Sequence, residues 1–113
     1  MKKVTSSNTL NEQVINKKCS MAYTLSIIGG RWKPTILWNL LNGKMRYGEL
    51  RKRIPEVSER VLITQLRELE DDNTVKRIVY AEVPPRVEYE LTPLGLSMRA
   101  FLLQLEQWGD EHK

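Results

Sequence analysis

From Met45 to Leu91 the spacing of apolar residues changes once, from helical to strand-like, and the change falls at Asn73. Before it, Tyr47, Leu50 and Ile54 share one face of a short segment. Leu62, Leu66 and Leu69 then recur at the spacing of an amphipathic helix stripe. After it, Val87, Tyr89 and Leu91 alternate with Arg86, Glu88 and Glu90, the pattern of a half-buried strand. A chain that runs short helix, turn, longer helix, hairpin has few compact ways to fold.

The punctuation agrees with the periods. Pro55 closes the short helix, because the residue before a proline is biased out of the helical region. Ser58 is a good N-cap for the longer helix, predicted to run to about Asp72, and Asn73 tolerates the left-handed conformation that ends a helix. Val75 to Ala81 is predicted as the first strand, and Pro84-Pro85 must form the hairpin tip. Upstream, Met21, Leu25 and Ile28 define a first helix stopped by Gly29-Gly30. A second begins near Pro34, carries Ile36, Leu37, Leu40 and Leu41 inward, and ends at Asn42-Gly43. Downstream, Thr92-Pro93 starts one last helix expected to reach about Trp108, with Leu94, Met98, Phe101, Leu102, Leu105 and Trp108 along one stripe. Residues 1–18 are polar and read as a flexible arm, leaving 19–113 as the folded domain. The expected class is mainly α with a small β-hairpin (α+β): a winged helix-turn-helix flanked by N- and C-terminal helices.

Composition narrows the partners. A chain of 113 residues builds one core and has little room for a second site. Its apolar runs are only a few residues long, against about 20 for a membrane span. The N-terminus has lysines but no apolar signal-peptide core, and the single cysteine, Cys19, fits a reducing compartment; both point to the cytoplasm. His112 is the only histidine, and no phosphate-cradling glycine motif is present, so no enzyme activity, metal or cofactor is expected. The net charge of +4 says little by itself, but its distribution says more. Lys44 to Arg67 holds seven cations against three acids, followed at once by Glu68, Glu70, Asp71 and Asp72. A basic face beside an acidic edge suits a polyanion held in one place.

In a helix-turn-helix the second helix enters the major groove of duplex DNA. With Leu62, Leu66 and Leu69 turned inward, Arg60, Ile63, Thr64 and Arg67 fall on the opposite side. That face offers two guanidinium groups for guanine or phosphate, a hydroxyl, and an apolar group for a thymine methyl. One exposed isoleucine is also an ordinary surface feature. Ser58 and Glu59 sit at the helix N-terminus, where the dipole favours phosphate. Arg51, Lys52 and Arg53 are expected to neutralise the backbone, and Arg86, at the hairpin tip, to enter the minor groove or meet its flanking phosphates. A winged helix used only for protein interaction is the alternative reading of the same faces.

Specific strings carry a family resemblance. Cys19, Tyr23-Thr24-Leu25, Ile28-Gly29-Gly30-Arg31-Trp32-Lys33-Pro34 and Ile36-Leu37-Trp38 come first. Arg46-Tyr47, Glu49-Leu50-Arg51, Gln65-Leu66-Arg67-Glu68-Leu69-Glu70 and Val83-Pro84-Pro85-Arg86-Val87-Glu88-Tyr89 follow in order. Over roughly residues 19–109 the chain resembles the HxlR-type winged-helix regulators, relatives of the MarR group. It departs from their pattern with Asn73 in place of Gly, Thr74 in place of an aliphatic residue, and Tyr47 in place of Phe. The resemblance implies a homodimeric transcriptional regulator, a repressor by analogy, on a near-palindromic double-stranded operator. Met21, Leu25, Ile28, Met98, Phe101, Leu102, Leu105 and Trp108 are the expected dimerisation residues, since the last helix has more apolar face than so small a domain covers. The resemblance also implies that Cys19 senses a small electrophile or oxidant, favoured by the adjacent Lys17 and Lys18 and a helix N-terminus. A small buried apolar side chain is the plainer role for a free cysteine. With no second cysteine, any disulfide must form between protomers or with a small thiol.

Overall fold

The structure, a computed structural model, describes residues 19–113; the arm expected over 1–18 lies outside them. Helix α1 spans Ser20–Ile28, α2 Lys33–Leu40, α3 Tyr47–Arg53 and α4 Glu59–Asp71. Strand β1 is Met45–Arg46, β2 Val75–Tyr80 and β3 Arg86–Leu91, and helices α5 (Pro93–Leu96) and α6 (Arg99–His112) close the chain. The strands form an antiparallel sheet in the order β1-β3-β2. This is the expected winged helix-turn-helix, with α3 and α4 as the helix pair and β2–β3 as the wing.

The caps fall where the sequence placed them. Ser58 Oγ accepts the Val61 N–H at 3.2 Å, and Thr92 Oγ1 accepts that of Gly95 at 3.1 Å. Pro34 occupies the first turn of α2, and Gly43 takes φ 137° in the turn after it. Asn73 adopts φ 63° beyond α4. The neighbouring Thr74 is fully buried, and its hydroxyl donates to the Leu69 carbonyl at 3.0 Å. The buried hydroxyl at this aliphatic position is thus satisfied by a helix carbonyl that also accepts the Thr74 backbone N–H at 3.0 Å.

One core joins all layers: Ile36, Leu37 and Leu40 of α2, Leu50 and Ile54 around α3, Leu62, Leu66 and Leu69 of α4, and Val75, Tyr89 and Leu91 of the sheet. Lys33, nearly buried on α2, sets its Nζ 2.7 Å from a Glu68 carboxylate oxygen and so ties the outer flank of α4 to α2.

Three expectations need correction. The pairing of Met45 with Tyr89 and Arg46 with Glu88 adds the strand β1, two residues long and too short to show a period. The last helix is two helices. Gly95 lies so close to the Thr74 carbonyl that an added Cβ would overlap that oxygen. After it the backbone tightens toward three-residue bonds, with Ser97 N–H shared between Pro93 and Leu94 and Met98 N–H on Gly95, before α6 begins at Arg99. Finally, Ile28, Met98 and Leu102, expected at a dimer contact, are buried in the chain's own core and leave almost no surface for a partner.

Candidate nucleic-acid interface

The α3–α4 pair fixes the site. Because Leu62, Leu66 and Leu69 are buried, Arg60, Thr64 and Arg67 are exposed on the far side of α4. Ser58 and Glu59 are exposed at its N-terminus, and the Thr64 hydroxyl bonds back to the Arg60 carbonyl at 3.0 Å. On α3, Lys52 and Arg53 are exposed while Arg51 is half-buried. Both helices thus carry exposed cations, but Arg53 lines a recess with Trp38, Leu41, Arg99 and Leu103 on the side of α2 and α6.

Two sequence-predicted site residues lie elsewhere than expected. Ile63 does not stand out on the reading face; it is half-buried on the flank of α4 that turns toward the sheet. There α3, α4 and the sheet leave a cleft of about 500 Å³, to which α3 contributes Tyr47, α4 Ile63, Arg67 and Glu70, and the sheet Arg77, Val87 and Tyr89. Arg86, in turn, does not project from the wing tip. Its side chain is only 27% exposed, its guanidinium carbon lies 4.0 Å from the Tyr80 ring centre, and it pairs with Glu82 at 3.3 Å and Glu88 at 3.6 Å. The strand register sets Tyr80 directly opposite Arg86, so the wing folds this cation onto its own outer face.

The same outer face carries a linked set of polar groups. The Tyr80 hydroxyl donates to Glu88 at 2.9 Å and accepts from Lys44 Nζ at 3.2 Å. The Tyr80 hydrogen bond, with Lys44 and Arg86 nearby, holds the Glu88 carboxyl below its ordinary value. The Tyr80 bond and the Glu88 charge hold Lys44 above its own. Tyr47, on the inner side, has a buried hydroxyl with no hydrogen-bond partner. Burial, then the Glu59 carboxylate, push its phenol upward. Arg77 escaped the sequence reading, because adjacent Lys76 and Arg77 hide which of the two turns inward; only the register opposite Tyr89 decides it.

Family comparison agrees with this geometry: residues 27–113 match the model of the HxlR-like helix-turn-helix family. The chain belongs to that family. An uncharacterized HTH-type transcriptional regulator, YdeP of Bacillus subtilis (strain 168), is 45% identical over 95 residues, covering 84% of this chain and 74% of its own. Among solved structures, the redox regulator HypR in its oxidized form superposes with a TM-score of 0.81 at 42% identity, covering 84% of this chain and 98% of that one. The reduced transcriptional regulator YodB of B. subtilis gives 0.72 at 33% identity, covering 83% and 92%. The protein is thus a DNA-binding transcriptional regulator of the HxlR type and not an enzyme. No described helix is long and apolar enough to cross a membrane.

Proposed function

We propose that this HxlR-type chain acts in the cytoplasm as a homodimeric repressor that sets one α4 helix in each of two major grooves of a near-palindromic operator. The observation that carries the reading is the exposure of Arg60, Thr64 and Arg67 opposite the buried Leu62, Leu66 and Leu69. Ser58, Glu59 and Ile63 flank that reading surface, and Arg51 and Lys52 of α3 neutralise backbone phosphate. Two-fold symmetry then sets half-sites about 34–36 Å apart. Dimerisation rests on apolar groups that the chain leaves uncovered: Met21 at 69% and Trp108 at 65% exposure, with Leu25, Leu105 and half-buried Phe101. A gel-shift titration on DNA flanking the protein's own gene, at two salt concentrations, tests this. Arg60→Ala is expected to cost about 1–3 kcal/mol at a specific site, while Lys52→Gln lowers the salt dependence. Binding that ignores Arg60 and Arg67 would instead support the protein-interaction module.

The redox reading rests on Cys19, exposed at the N-terminus of α1, and on the likeness to the redox regulator HypR and to diamide-treated YodB. An oxidant or electrophile at this thiol is the proposed effector signal. The measurement is DNA release on diamide: Cys19→Ser must abolish it, and release that persists in the variant removes Cys19 from the mechanism.

A further inference from the structure

Building on the DNA-binding reading, we infer that the cleft between α4 and the sheet seats one sugar-phosphate unit of the duplex, with its phosphodiester between Arg67 and Arg77. When a helix lies in the major groove and a hairpin reaches past it, the intervening backbone ridge must pass between them. The cleft lies between α4 and the sheet that carries the hairpin and, at about 500 Å³, is far larger than a packing defect. Arg67 reaches it from α4 and Arg77 from the inner face of β2, where the register sets Arg77 opposite Tyr89. Among the described residues neither guanidinium is ion-paired, whereas Lys44, Lys76 and Arg86 all are. Glu70 and the Tyr47 phenol share the wall, so the lining holds two guanidiniums against one carboxylate and keeps a positive balance. Guanidinium groups match phosphate oxygens in forked geometry. Ile63, Val87 and the Tyr89 ring supply the apolar wall against which a deoxyribose packs. Arg77 is then the wing-side cation that meets the DNA, in place of the self-paired Arg86.

Anisotropy titrations of the full chain over a salt series test this, using the operator fragment and a duplex of unrelated sequence. Arg77→Gln should weaken both duplexes by a similar factor and lower the log–log salt slope by about 1 per protomer, with Arg77→Lys retaining most of the slope. Arg86→Gln should leave the slope in place. A methylphosphonate scan of the operator should find one position per half-site that weakens the wild type and costs nothing further in Arg77→Gln, while other positions still weaken the variant, which shows that it folds and binds. An unchanged slope, a loss confined to the operator, or no such non-additive position overturns the seat. So does Arg77-dependent uptake of inorganic phosphate with no methylphosphonate effect, which would mark a free-anion site. If the wild type binds neither duplex, the DNA-binding reading itself has failed, and the wild-type curve tells that failure apart from failure of the seat alone.

Discussion

The Arg86 guanidinium carbon stacks 4.0 Å from the centre of the Tyr80 ring, across the strand pair from it. Together with Glu82 and Glu88, that contact makes Arg86 a brace of the wing. A cation over an aromatic face at a partly exposed site contributes about 0.5–1 kcal/mol. Arg86→Gln should therefore lower the melting temperature by a few degrees, Tyr80→Leu by more because it also removes the bonds to Glu88 and Lys44, and the double variant by less than the sum of the two. Calorimetric melts of the two single variants and the double form the cycle. Fully additive losses would show that the stack contributes nothing.

Glu88 gives the wing an acid-side pH dependence. Its folded carboxyl sits below the ordinary 4.5, chiefly through the Tyr80 hydroxyl. The unfolded chain then binds more protons than the folded one, so this contribution is fully present above the ordinary carboxylate range and is lost as pH falls through the folded value. Urea midpoints should fall more steeply with acidification in the wild type than in Glu88→Gln. Parallel curves for the two would remove Glu88 from the acid response.

Gly95 and Gly48 should answer alanine with opposite signs. A Cβ at Gly95 would overlap the Thr74 carbonyl oxygen and crowd Leu91, and such overpacking costs about 1–3 kcal/mol. At Gly48, inside α3, nothing lies within 4 Å of an added Cβ, and relief of backbone entropy should stabilise by about 0.5–1 kcal/mol. Denaturant midpoints of the two variants check the contrast. A neutral Gly95→Ala would mean that α5 shifts freely against the Asn73–Thr74 turn.

Wherever one short segment carried its own signal, the fold was legible. Leu62, Leu66 and Leu69 declared their face by period, and Ser58, Asn73 and Thr92 declared helix ends by chemistry. What escaped depended on two segments meeting. The α5–α6 break contains no proline and comes just after Gly95, which lies against Thr74. The capture of Arg86 needs the hairpin register that brings Tyr80 across from it, and the inward turn of Arg77 needs Tyr89 for the same reason. The apolar stripe of the last helix mixed two destinations, since period alone does not divide Met98 and Leu102, which are buried, from Leu105 and Trp108, which are not.

That division makes the dimer surface testable without confusion with the core. Leu105 is half exposed on α6, and Trp108, one turn further, stacks its ring 4.3 Å from that of His112. Neither side chain is needed to fill the core, whereas truncating Leu102 there should cost about 2–5 kcal/mol. A charge at Leu105 would be tolerated in a monomer, but two copies facing across a symmetric contact would have to be desolvated together. Leu105→Glu should therefore convert a dimer to monomer in sedimentation while its circular dichroism stays native, and it should weaken operator binding because each monomer engages one half-site. Leu102→Ala should lower the denaturant midpoint instead. If Leu105→Glu sediments as the wild type does, the partner surface lies elsewhere on the chain.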